Sequence, residues 1–126
     1  MTRRDQHVID ETLQAVLAMI AERFPAPEAT RLATFARCYF VDAVDEDIPE
    51  ETAANMFGAV TSLWQFARVR KPRQASIRAY NPELEEHGWH STHTAIEIVN
   101  DDMPFLVDSI TMEVNRQGLT MHLIVH

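Results

Sequence analysis

The sequence predicts an α+β chain in which three amphipathic helices precede a small sheet covered by a single helix. Three observations predict it. Apolar residues recur at helical spacing as far as about Arg68. From Ser76 onward the extended runs alternate residue by residue, interrupted by one further helical stretch. Prolines, Asn81-Pro82 and Gly118 fall where the period breaks.

The first helix is expected from about Asp5 to Phe24, with Ile9, Leu13, Val16, Leu17 and Ile20 facing inward. Pro25 and Pro27 end it, and Pro27 suits the first turn of a second helix running to about Val44. That helix packs Leu32, Phe35, Ala36, Tyr39 and Phe40. Asp45, Glu46 and Asp47 form an acidic connector, and Pro49 starts the third helix. Its inner side carries Ala53, Met56, Phe57, Val60, Leu63, Trp64 and Ala67. Arg68, Arg70 and Lys71 suit the negative end of the helix dipole, and Pro72 stops the helix. The boundary between a helical subdomain (1–72) and a sheet-containing unit (73–126) is placed near Pro72.

Ser76 to Tyr80 reads as a short strand ended by Asn81-Pro82. Glu83 to Gly88 suggests one helical turn, and Trp89 to Val99 a long strand. Asp101 or Asp102 can cap the next helix, with Pro104 in its first turn. Leu106, Ile110 and Val114 give that helix its apolar stripe, with Phe105, Ser109 and Met112 beside it. Gly118 suits a left-handed C-terminal cap, and Leu119 to His126 returns to strand period.

A chain of 126 residues is one domain, or a small domain with part of another. The net charge of −8 argues against nucleic acid or an anionic membrane as partner. A single cysteine, Cys38, forms no internal disulfide, and no apolar run approaches the ~20 residues that cross a bilayer. A cytoplasmic protein is expected.

The candidates for chemistry each meet a blander reading. His90 and His93 fall on opposite faces of the expected strand, and no flanking residue completes a zinc spacing around His87. His122 and His126 share a face but stand ~13 Å apart at ~3.3 Å per residue. Cys38, on an apolar helix, reads as a buried inert thiol. Asp101 and Asp102 are explained by capping, and Asp108 falls on a solvated flank. Three glycines form no dinucleotide-binding fingerprint. No catalytic, cofactor-binding or metal-binding residue is therefore assigned. Tyr80, Asn81, Pro82 and Trp89 form a candidate docking surface, with core packing of Trp89 as the competing reading.

The run from Asn100 through Pro104, Phe105, Leu106, Val107, Asp108 and Ser109, continuing to Leu123-Ile124-Val125-His126, carries a family resemblance. Together with Ile77 to Pro82 and His87-Gly88-Trp89, it resembles the N-terminal region of the large bacterial NAD-specific glutamate dehydrogenases. More loosely it is similar to the opening half of an ACT domain, a ferredoxin-like βαββαβ module that often binds amino acids. The resemblance implies a mainly antiparallel sheet and an ACT-like unit truncated at its C-terminal end. It implies a parent enzyme that uses NAD to deaminate L-glutamate to 2-oxoglutarate and ammonia, its chemistry lying outside this segment. The segment itself is then a regulatory or assembly module. Its expected partners are the rest of the parent polypeptide, further copies in a homo-oligomer, and an amino-acid effector. The turn Asn100, Asp101, Asp102, Met103, Pro104 and Phe105 is the candidate effector or domain-contact site. Amino-acid-binding ACT domains commonly carry glycine where Phe105 stands, and Phe105 is expected to tuck under the helix. The alternative is a freestanding amino-acid sensor or protein-interaction module that pairs its sheet with a partner.

Overall fold

The computed structural model describes residues 3–42, 52–69, 71–101 and 104–120. The elements in chain order are α1 (Arg3–Arg23), α2 (Glu28–Asp42), α3 (Ala53–Arg68), β1 (Ser76–Tyr80), α4 (Leu84–His87), β2 (Ala95–Val99) and α5 (Leu106–Arg116). The architecture is α+β, as the periodicity predicts.

The core sits among α1, α2 and α3. Ile9, Val16 and Ile20 meet Leu32, Ala36 and Phe40 from α2, and Met56 and Val60 from α3. Leu13, Leu17, Phe35, Tyr39, Phe57 and Trp64 pack around them, half-buried. Burial of these side chains is the main force holding the helices together, at about 1.5–3 kcal/mol for each large apolar group. Ring pairs extend the packing: Phe24 meets Phe57 at 6.4 Å between centroids, and Phe35 meets Trp64 at 5.4 Å. Arg68 at the end of α3 pairs with Glu28 at the start of α2.

Several boundaries differ from expectation. The carbonyls of Pro25 and Pro27 accept the amides of Ala29 and Arg31, so α2 begins just after Pro27. Thr52 is the N-cap of α3: its backbone is extended and its hydroxyl accepts the Asn55 amide at 3.1 Å. Asp45 to Asp47 and Pro49 lie outside the described residues. Cys38 is exposed, which corrects its reading as a buried thiol; the buried positions near it are Ala36 and Phe40, on the side of α2 that meets α1.

β1 and β2 pair antiparallel, with Ser76 opposite Val99, Arg78 opposite Glu97 and Tyr80 opposite Ala95. The strand expected from Trp89 is confined to Ala95–Val99. Side chains take the backbone groups that would have extended the ladder. Asn55 on α3 binds both the amide and the carbonyl of His90, and the Ser91 hydroxyl accepts the His93 amide. His90 and His93 thus lie off the sheet. The predicted single turn is present as α4, closed by Gly88 in the left-handed conformation at φ 80°.

The start of α5 is also corrected. Its N-cap is Phe105, at φ 64° and with no side-chain cap; Pro104 and Asp101 precede the helix, and Asp102 lies outside the described residues. Leu106, Ile110 and Val114 are half-buried, so the stripe lies where the spacing puts it. At the other end the Leu119 amide reaches the Val114 carbonyl and the Gly118 amide reaches Asn115, with Gly118 at φ 78°. This is a Schellman closure, which needs a left-handed residue that glycine adopts without strain. The strand expected after Gly118 does not include Leu119 or Thr120, and its remaining residues lie outside the described ones.

Candidate functional site

The hairpin meets α3 with its polar side. Along β1 the inward residues are Ser76, Arg78 and Tyr80, and across from them stand Val99, Glu97 and Ala95. The Arg78 guanidinium lies between the rings of Phe66 and Tyr80, at 4.7 and 4.3 Å from their centroids. Its Nε donates to Glu97 at 2.7 Å, and Nη2 donates to the Ser62 hydroxyl at 3.0 Å. Arg78 and Glu97 form a cross-strand ion pair with side chains 27% and 11% exposed. The Tyr80 hydroxyl donates to the second Glu97 oxygen at 3.1 Å and accepts from Trp89 Nε1 at 3.1 Å. His87 stacks on the Tyr80 ring at 4.4 Å, and its Nδ1 accepts the Glu83 amide.

Two close fits seat this cluster. Gly58 on α3 touches the Gly88 backbone: a Cβ there would stand 2.0 Å from the Gly88 oxygen and 2.9 Å from Trp89 Cβ. Three residues earlier, Asn55 makes its double bond to His90. The sheet is therefore keyed to α3 by hydrogen bonds and one glycine contact.

Burial, the largest influence, raises the Tyr80 phenol pKa, and nearby Glu97 adds to it; bonds from Ser62 and Trp89 and the Arg78 charge work the other way. A raised pKa means that the folded chain holds this proton more tightly than the unfolded chain does. The resulting stability is complete below about pH 10 and is lost as pH rises through the folded value. Tyr80→Phe, which has no phenol proton, should show a shallower loss of stability above pH 10 in alkaline denaturation. Identical alkaline slopes for the two proteins would contradict this.

The expected docking residues divide. Tyr80 and Trp89 join the cluster beneath the sheet, half-buried and bonded to each other. Asn81 is exposed, and its Oδ1 accepts the Thr94 hydroxyl at 2.7 Å. Pro82 is fully buried, which removes it from any surface. The expected effector turn lies at the far end of the hairpin, after Val99, which pairs with Ser76 rather than Tyr80. Asn100 is half-buried, Asp101 and Pro104 are exposed, and Asp102 and Met103 lie outside the described residues. Phe105 is 77% exposed, not tucked under α5. Its left-handed backbone, costly for a residue with a Cβ, turns the chain into the helix. Among the described residues no group of three His, Cys, Asp or Glu side chains could hold a metal ion. Asn55, Gly58, Ser62, Arg78 and Glu97 were not legible as partners, although the opposite charges of Arg78 and Glu97 signal a pair once the strand register is known.

The other side of the hairpin is apolar and open. Ile77 lies opposite Ile98, and Ala79 opposite Ile96; Ile77 is 67% exposed and Ile96 52%. Ala79 is exposed as well, and Ile98 is half-buried.

Residues 35–126 match the model of the glutamate dehydrogenase ACT1 domain. The chain is 37% identical over 114 residues to the NAD-specific glutamate dehydrogenase of Halomonas elongata, covering 90% of this chain and 7% of that protein. It is 36% identical over 110 residues to the enzyme of the same name from Pseudomonas aeruginosa, covering 87% of this chain and 7% of that protein. The chain thus spans about a fourteenth of the length of the curated relatives it matches. No solved structure matches it. On the family match across most of its length, the chain belongs to the glutamate dehydrogenase ACT1 domain family.

Proposed function

We propose that this chain serves as a non-catalytic N-terminal assembly module of an NAD-dependent glutamate dehydrogenase. The parent enzyme would oxidatively deaminate L-glutamate to 2-oxoglutarate and ammonia, with NAD and the catalytic groups carried elsewhere in the polypeptide. The names of the relatives and the small share of them that this chain covers support the enzyme reading. The assembly role rests on one observation: the sheet holds its charged side against α3 and leaves Ile77, Ala79 and Ile96 exposed on the other, beside a half-buried Ile98. Hydrophobic residues grouped on an exposed face favour burial against a partner surface. The proposed partner is the rest of the parent polypeptide.

The test compares two contexts for one double substitution, Ile77→Thr with Ile96→Thr. Threonine keeps the β-branched shape that strands favour while making the face polar. In the 126-residue chain the two substitutions should change stability by no more than about 0.5 kcal/mol, because both positions are exposed. In the native full-length polypeptide they should cost about 2 kcal/mol, as buried apolar groups are lost. Equal effects in the two contexts would sink the assembly reading.

A further inference from the structure

The segment that joins β1 to β2 is closed by a histidine side chain. His87 ties α4 to Glu83 twice: its amide donates to the Glu83 carbonyl at 2.8 Å, and its Nδ1 accepts the Glu83 amide at 2.9 Å. A backbone amide can only donate, so Nδ1 here carries no proton and the imidazole is neutral. A second partner stands close by. Nε2 lies 3.8 Å from the Glu86 carboxylate, too far for a hydrogen bond but near enough for an ion pair once the ring is charged. The ring rests on Tyr80, with the His87 side chain 18% exposed. Arg78 on β1 lies against the same Tyr80 ring and opposes a further positive charge, while Glu97 on β2, bonded to the Tyr80 hydroxyl, offsets it. The Tyr80 phenol, its pKa raised by burial, stays uncharged beside the histidine. Glu83 and Glu85 add negative charge around α4, whereas Asn55, Gly58 and Thr61, gathered beside it on α3, have no titratable side chain.

We propose that His87 is a proton-operated catch that fastens the hairpin to α3. In its neutral form it holds the Glu83 amide and keeps α4 closed. A proton taken up from water on Nδ1 sets two N–H groups against each other, so the ring gives up Glu83 and turns to the Glu86 carboxylate. The change reaches α3 because the three residues that follow are points of attachment. Gly88, bonded to Leu84, meets Gly58; Trp89 bonds Tyr80; and His90 bonds Asn55. Histidine is the side chain type that serves as a switch near neutral pH, which puts such a catch within reach of a modest acidification. The device goes beyond the assembly role and uses none of the exposed isoleucines of the sheet.

The test is nuclear magnetic resonance of the isotope-labelled 126-residue chain between about pH 8 and about pH 5. At the upper end the Glu83 amide nitrogen and His87 Nδ1 should show a coupling across their hydrogen bond, and at the lower end it should vanish. Over the same range the Asn55 side-chain amide, which donates to the His90 carbonyl, should exchange about fivefold or more faster relative to its intrinsic rate, as one weakened hydrogen bond implies. His87→Asn keeps an acceptor oxygen near the place of Nδ1 but cannot take up the proton. In that variant the corrected Asn55 exchange should stay level, and because the other histidines are present in both proteins, the difference between them belongs to His87. Absence of the coupling at about pH 8, or its persistence at about pH 5, overturns the proposal, as does an equal response of Asn55 in the two proteins.

Discussion

Gly58→Ala should destabilise the chain by about 3 kcal/mol and loosen the hairpin from α3, more than any conservative change on the surface. The added methyl would stand 2.0 Å from the Gly88 oxygen and 2.7 Å from its carbonyl carbon, both backbone atoms that no rotamer change can move aside. Alanine is the better helix former by about 1 kcal/mol, so propensity alone predicts the opposite sign. The steric effect wins because Gly88 is itself fixed as the left-handed cap of α4, its amide bonded to Leu84. The loss should appear as a lower midpoint in urea, together with faster hydrogen exchange at His90 as its bonds to Asn55 open. A variant as stable as the parent chain would show that α3 and α4 do not approach this closely.

The second large effect concerns Glu97. Replacing it with alanine strands Arg78 between two rings with its strongest acceptor gone, and Tyr80 loses the oxygen to which it donates. A fully buried pair broken in this way costs about 3–5 kcal/mol; with Arg78 partly open to water, about 2 kcal/mol is expected. The double variant Arg78→Met with Glu97→Met should recover most of that loss, because no unpaired charge remains. Urea titration of the three proteins decides it. A double variant that loses as much as Glu97→Ala, or more, would mean that the pair stabilises the chain by more than its removal from water costs.

Much of the fold was legible because its helices are ordinary amphipathic ones. The spacing of Ile9, Val16 and Ile20, and of Leu32, Ala36 and Phe40, marks the buried sides directly. β1 matches its predicted ends because Ser76–Tyr80 is bounded by a turn dipeptide. Trp89 to Thr94 was misread for a reason that local sequence does not contain. Asn55 lies 35 residues away in the chain, yet it captures the His90 backbone that would otherwise extend the strand. The start of α5 was misread because two adjacent aspartates resemble a cap, whereas the chain turns at Phe105 through a strained conformation that propensity disfavours.

The candidate site was only half legible. Tyr80 and Trp89 stand out in the sequence as a docking surface, with core packing of Trp89 as the competing reading; the polar cluster that joins them to Arg78 and Glu97 does not. Alternation in Ile77 to Tyr80 and Ala95 to Val99 shows two chemically different sides without saying which one meets the helices. Hydrophobicity alone would turn the isoleucines inward. The structure turns Arg78 and Glu97 inward instead, because Ser62, Phe66 and Tyr80 meet their polar and cationic groups there. That inversion is what makes the outer face available.

The central claim, that this outer face is covered by the parent polypeptide, is tested most directly by comparing amide hydrogen exchange in the 126-residue chain with that in the native full-length protein. The account predicts that amides of Ser76–Tyr80 and Ala95–Val99 exchange markedly more slowly in the full-length protein, while the core amides around Val16, Leu32 and Val60 change little. Equal exchange of the two strands in both proteins would contradict it.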